Sequence, residues 1–275
     1  MEKRFLFLTL LLVCLINKTF SQGDLVITPN RVVFKERQIK EVINLINVGS
    51  ETNTFTVSFV QRRMNENGSF TIITEPDEGQ MFSNDLLRIY PRQVTLSPGE
   101  GQVVMLQRRR NSNMKDGEYR SHLYFRAEKK ITPLENINTT TNTEAMSVVL
   151  TPVFGISIPI IIRSGIVNAK ASISDLSVEN LKNRQIKFTL NREGNISLYG
   201  DITVEYIPLK GEPVTIGLLR GVAIYTTINK RFVSITIDEK YKFNESKGSL
   251  KISYNSRAGV SKKELYTSEN IKLGG

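Results

Sequence analysis

The chain has 275 residues, 40% of them hydrophobic, and a formal charge of +10. It holds one cysteine, one histidine and no tryptophan. A lone histidine excludes any two-histidine metal motif, and a lone cysteine excludes an internal disulfide.

The N-terminus reads as a secretory signal over residues 1–21. Lys3 and Arg4 form a basic start, Phe5 to Leu15 an apolar stretch, and Thr19-Phe-Ser21 a small-residue cleavage pattern that leaves Gln22 first. A lipoprotein signal at Cys14 is the alternative, but Val13 stands where a lipid-attachment box has a small residue. Because Cys14 lies inside the signal, the mature protein has no thiol, which argues against a small cross-linked extracellular module. The remaining roughly 250 residues suffice for two domains with their own cores.

Short alternating segments follow. Leu25–Phe34, Glu41–Asn47, Phe55–Gln61, Phe70–Thr74, Val94–Leu96, Gln102–Leu106 and Ser121–Arg126 read as strands. They are separated by turns such as Asn65-Glu-Asn-Gly68, Ser97-Pro-Gly99 and Lys115-Asp-Gly117. Evenly spaced short strands with such turns predict an all-β sandwich, and helical periodicity is not sustained anywhere. Lys129–Glu144 is polar and reads as a long flexible loop.

The loop leads into Met146–Arg163, an apolar, β-branched run carrying Pro152 and Pro159. Each proline removes a ladder donor, so the run is expected at a sheet edge. Exposed apolar edges invite another chain to pair, and one left open suggests that pairing is the function. A membrane span needs roughly 20 unbroken apolar residues, more than this run or any later one provides. The mature protein is therefore expected to have no membrane span.

The pattern restarts after Arg163-Ser-Gly165, with strands expected at Ala169–Leu176, Gln185–Asn191, Leu198–Tyr206, Val214–Leu218, Val222–Thr226, Arg231–Thr236 and Leu250–Tyr254. The hinge is placed at Ser164-Gly165, giving domains 22–163 and 164–275.

The catalytic inventory is poor. Gly99-Glu-Gly101 lacks the third glycine of a dinucleotide loop and reads as a turn. His122 lies in a strand, where a structural or surface role is the simpler reading. Asp77-Glu78 is an acid pair without an aromatic sugar cleft. Neither an enzyme nor a cofactor is expected. Basic pairs such as Arg62-Arg63 and Lys262-Lys263 are scattered without interleaved aromatics, so no nucleic-acid partner is expected, although a basic field attracts acidic proteins. The sequons at Asn17, Asn67, Asn138, Asn195 and Asn244 matter only in a host that glycosylates secreted proteins.

The order of these segments resembles the PapD-like periplasmic chaperones of the chaperone–usher pilus-assembly pathway. The residues that carry the resemblance are Arg31-Val-Val-Phe34, Leu96-Ser-Pro-Gly99 with Val103-Val-Met-Leu106, Asp116 to Phe125, and Gly155 to Arg163; in the second half, Arg192 to Gly200 and Tyr225 to Arg231. It covers nearly the whole mature chain. The resemblance implies two immunoglobulin-like domains in an L or boomerang arrangement with a cleft between them. It implies a periplasmic protein whose partners are a pilus or fibre subunit and an outer-membrane usher. The chaperone lends an edge strand to an incomplete subunit, a recognised mode of strand addition.

By the same resemblance, Arg31 anchors the subunit's terminal carboxylate. The family's second anchor, normally a lysine, falls on Pro159, a departure from the pattern. Arg163 supports the interface between domains, and Glu245 is its possible acidic partner. The donor residues are Met146, Val148, Leu150 and Phe154, which are even-numbered and so share one face; Pro152 shares it too. The alternative class is an immunoglobulin-like structural component of a surface fibre.

Overall fold

The computed structural model describes residues 25–34, 38–110, 113–128, 153–179, 184–238, 240–241, 247–257 and 265–273. The signal segment, Lys129–Glu144, Met146, Val148, Leu150, Pro152 and Glu245 lie outside the described residues.

Ten strands build the first sandwich: β1 (Leu25–Thr28), β2 (Val32–Phe34), β3 (Lys40–Asn47), β4 (Asn53–Met64), β5 (Phe70–Ile73), β6 (Leu87–Tyr90), β7 (Gln93–Leu96), β8 (Gly101–Arg108), β9 (Gly117–Ala127) and β10 (Gly155–Ser164). One sheet runs β1-β3-β8-β6; the other runs β2-β10-β9-β4, with β5 and β7 both paired to β4. The second sandwich comprises β11 (Ala169–Glu179), β12 (Gln185–Gly194), β13 (Leu198–Ile207), β14 (Val214–Ile224), β15 (Lys230–Thr236), β16 (Ser249–Ser256) and β17 (Leu265–Lys272). Its sheets run β11-β12-β15 and β14-β13-β16-β17. The fold is all-β, two immunoglobulin-like sandwiches, with a single 3-10 turn at Asn84–Leu86 among the described residues.

Successive side chains on a strand point to opposite faces, and this alternation places the cores. In β3, Ile43 and Leu45 are buried while Val42, Asn44 and Ile46 point outward. They join Val104, Leu106, Leu123, Phe125, Ile158, Ile160 and Ile162 in the first core. The second core is centred on Leu190, Ile202, Val204, Leu250, Ile252 and Tyr254. The Tyr254 hydroxyl donates to the Val222 carbonyl at 2.9 Å, which removes the cost of burying it.

Several segments differ from the sequence expectation. Leu25–Phe34 is not one strand: β1 pairs β3 in the first sheet and β2 pairs β10 in the second. Between them Pro29-Asn30-Arg31 carries the chain from one sheet to the other and sets Arg31 at the entry to β2. Val214–Leu218 and Val222–Ile224, the strand part of the expected Val222–Thr226, belong to the single strand β14, whose register against β13 shifts beside Gly221, a residue at φ +71° that suits glycine. The strands β6 and β17 were not anticipated.

The strand β10 is not an edge along its whole length. It pairs antiparallel with β9 from Gly155 to Ser164, and its Ile160–Ile162 stretch also pairs in parallel with β2. From Gly155 to Pro159, no described strand pairs its other side. The Ala127 amide donates to the Phe154 carbonyl at 3.0 Å. Antiparallel ladders alternate, so the backbone groups of Gly155 and Ser157 point away from β9, toward the open side. The same parity turns the missing donor of Pro159 away from β9, so the proline costs that ladder no bond.

Substitution on the two faces checks this register. Leu123→Ala, fully buried, is expected to cost about 2–5 kcal/mol in urea melts. Val103→Ala, 49% exposed, should cost under about 1 kcal/mol. Equal costs would contradict the assignment of faces.

Candidate functional site: a basic cleft between the sandwiches

The core-facing side of β9 carries Tyr119, Leu123 and Phe125; its other side carries Glu118, Arg120 and His122. Pro159, Ile161 and Arg163 share that second side through their register with β9, as does Arg31, two residues before Val33. This polar face is buried against the second sandwich.

At its centre lies Glu118, whose side chain has no solvent exposure. Its Oε1 accepts from Arg120 Nε at 3.1 Å and Nη2 at 2.5 Å. Its Oε2 accepts from Arg163 Nε and Nη2, both at 3.3 Å, and from the Ser197 amide at 3.1 Å and hydroxyl at 2.8 Å. Arg163 also donates to the Ser197 carbonyl at 3.2 Å. Ser197 directly precedes β13, so one carboxylate ties the two sandwiches together. Burial alone would raise the Glu118 carboxyl; Arg120 and Arg163 outweigh it and hold the group down at about 2.

A second layer lies beside it. Arg120 stacks on the Tyr225 ring, its Cζ 3.7 Å from the centroid. His122 Nε2 lies 3.1 Å from the Tyr225 hydroxyl, and Phe70 packs against both rings. Burial, reinforced by Arg120, Arg62 and Arg31, pushes the His122 imidazole down to about 3, so it is neutral at pH 7.

Arg31 lies at the mouth of this assembly. Its guanidinium covers the Tyr199 ring at 4.3 Å, and no carboxylate pairs with it among the described residues. Burial, then the repulsion of Arg120, lowers its pKa to about 10 despite the attraction of Glu118. Arg31 lines a cavity of about 230 Å³ together with Phe70, Pro159, Tyr199, Tyr225 and Arg231. No aspartate or glutamate is among its lining residues.

The structure thus brings Arg31 and Pro159 into one cavity and sets Arg163 on Glu118. It leaves Phe154 54% exposed at the opposite end of β10. Met146, Val148, Leu150 and Glu245 lie outside the described residues. The sequence reading missed Glu118, Arg120, Ser197, Tyr225 and Arg231. One signal was available: Glu118, Arg120 and His122 recur at every second position of a strand, which marks a polar face too regular for a loop.

No helix among the described residues is long and apolar enough to cross a membrane, and no metal-ligating cluster occurs among them. No family model matches the chain, and no curated protein matches it. It is similar to solved structures of chaperones. The YadV chaperone is 13% identical, over 91% of this chain and 100% of that one, with a TM-score of 0.46. The CsuC–CsuE chaperone–tip adhesion subunit pre-assembly complex from archaic chaperone-usher Csu pili of Acinetobacter baumannii is 13% identical, over 88% and 97%, with a TM-score of 0.45. The periplasmic chaperone SfaE is 12% identical, over 90% and 98%, with a TM-score of 0.43.

The buried ion cluster sets a pH response. Glu118 has a lower pKa folded than unfolded, so its contribution is complete above about 4.5 and is lost as pH falls toward about 2. His122 is also lowered, so between 6.5 and about 3 only the unfolded chain takes up its proton, and stability declines as pH falls from 6.5. Urea melts across pH should show both phases. Glu118→Gln should cost about 3–5 kcal/mol at pH 7, because Arg120 and Arg163 lose their counter-charge. His122→Asn should flatten the upper phase alone. Wild-type stability unchanged from pH 7 to pH 3 would contradict this account.

Proposed function

We propose that the protein is a non-catalytic periplasmic chaperone that lends β10 to an incomplete subunit of a pilus or surface fibre and passes the subunit to an outer-membrane usher. In this reading residues 1–21 direct secretion, 22–163 form the donor domain, and 164–275 form the domain that closes the cleft.

The observation that carries the reading is the open half of β10. At Ile158 its even-numbered side chains are buried in the first core, 3% exposed. Toward the N-terminal end the same face emerges, with Ile156 at 36% and Phe154 at 54%. The backbone groups of Gly155 and Ser157 have no described strand beside them. Apolar side chains and unpaired backbone groups then lie together on one edge, which is what strand addition requires. Met146, Val148 and Leu150 extend the same parity upstream and would fill further sites along a partner's groove. Arg31, half-buried and without a carboxylate among the described residues, suits the partner's terminal carboxylate. A fibre component that depends on a donated strand would lack part of its own core, whereas β10 completes the first core here.

Binding to the cognate subunit, measured by titration calorimetry, tests the reading. Each large apolar side chain moved into a groove contributes about 1.5–3 kcal/mol. Phe154→Asp should therefore weaken binding by about ten- to a hundredfold while leaving the melting temperature nearly unchanged. Arg31→Ala should produce a loss of similar size. A folded Phe154→Asp protein that binds as tightly as wild type would remove the donor-strand mechanism.

A further inference from the structure

The cavity that holds Arg31 contains a second guanidinium, from the other sandwich. Arg231 follows Lys230 at the start of β15 and lines the same 230 Å³ space. Its Nη1 donates to the Ala223 carbonyl, and its Nε is buried without a hydrogen-bond partner. No carboxylate pairs with it among the described residues. The turn between β4 and β5 closes over it: Gly68 has φ +82°, and a Cβ there would fall 2.6 Å from Arg231 Cζ. The turn therefore lies close over the guanidinium, at a residue whose positive φ suits glycine. Burial lowers the Arg231 pKa, against the weaker pull of Tyr254 and Tyr225. On the first sandwich the apolar ring of Pro159 lines the cavity where a cation was expected.

We propose that Arg231 is the second cation of this pocket, so that a carboxylate is held between Arg31 of the first sandwich and Arg231 of the second. The proposal rests on the strand-pairing reading above and adds that the anchor spans both domains. Both guanidiniums line one cavity that has no acid among its lining residues, and burial lowers the pKa of each, so an entering carboxylate meets two partly desolvated cations. A fork of N–H donors suits a planar carboxylate better than an ammonium does. Since the anion contacts both sandwiches, its binding also resists their separation.

The test uses the full mature chain and a short peptide of alternating apolar and polar residues, made once with a free C-terminal carboxylate and once as the C-terminal amide. Wild type is expected to bind the free acid at least about tenfold more tightly than the amide. Arg231→Gln should lose most of that preference while binding the amide as before. Loss of the Ala223 contact alone would weaken both peptides equally, so the acid-to-amide ratio separates anchoring from a structural role. Arg231→Lys keeps a charge and decides the matter if the glutamine variant does not fold; its preference should fall below that of wild type. A folded variant with an undiminished preference overturns the assignment and leaves the strand-pairing reading intact. Wild type that binds neither peptide, or binds both equally, overturns the proposal together with the carboxylate anchor on which it rests.

Discussion

The arrangement depends on one buried carboxylate. Taking Glu118 out of water costs several kcal/mol, and only close, well-directed donors offset that. Arg120, Arg163 and the amide and hydroxyl of Ser197 supply them. Two donors come from β9 and β10, and the others from the residue that enters β13. Satisfying this one charge therefore fixes the ends of β9 and β10 against each other and against the second sandwich. The cavity beside it follows from the same constraint. Glu118 neutralises part of a cluster that includes Arg31, Arg120 and Arg163, and the cations in excess of it leave the cleft positive.

The second constraint is the shortness of β2. Pairing with β10 covers only Ile160–Ile162, because the chain crosses between sheets at Pro29-Asn30-Arg31. A longer β2 would close the edge; the short one leaves Gly155–Pro159 available and sets Arg31 at the limit of the paired region. The open edge and the anion pocket thus share one cause. They lie on opposite sides of β10: the pocket takes odd-numbered residues such as Pro159, and the apolar face takes even-numbered residues such as Ile156. A partner strand on the open edge would run along the junction of the two.

Much of this was legible in the sequence. Period-two alternation located β3, β8, β9 and β12, and the parity of Phe154 with Ile158 gives the apolar face of β10. What escaped has physical reasons. The split of Leu25–Phe34 between sheets is a tertiary event, and an apolar run looks the same on either side of it. The polar Thr267-Ser-Glu-Asn270 stretch of β17 is strand because it pairs with β16, not because its own pattern demands it. Glu118 and Ser197 are far apart in sequence, so no local motif joins them. Arg231 is the extreme case: it reads as one more basic residue until the Gly68 turn and Arg31 are found around it.

Hydrogen exchange at β10, with and without the subunit, tests the central claim most directly. In the free protein the amides of Ile156 and Ile158, bonded to β9, should exchange slowly, while those of Gly155 and Ser157 should exchange fast. Strand addition predicts that the subunit slows Gly155 and Ser157 and leaves Ile156 and Ile158 as they were. Subunit binding without new protection at Gly155 and Ser157 would contradict the account.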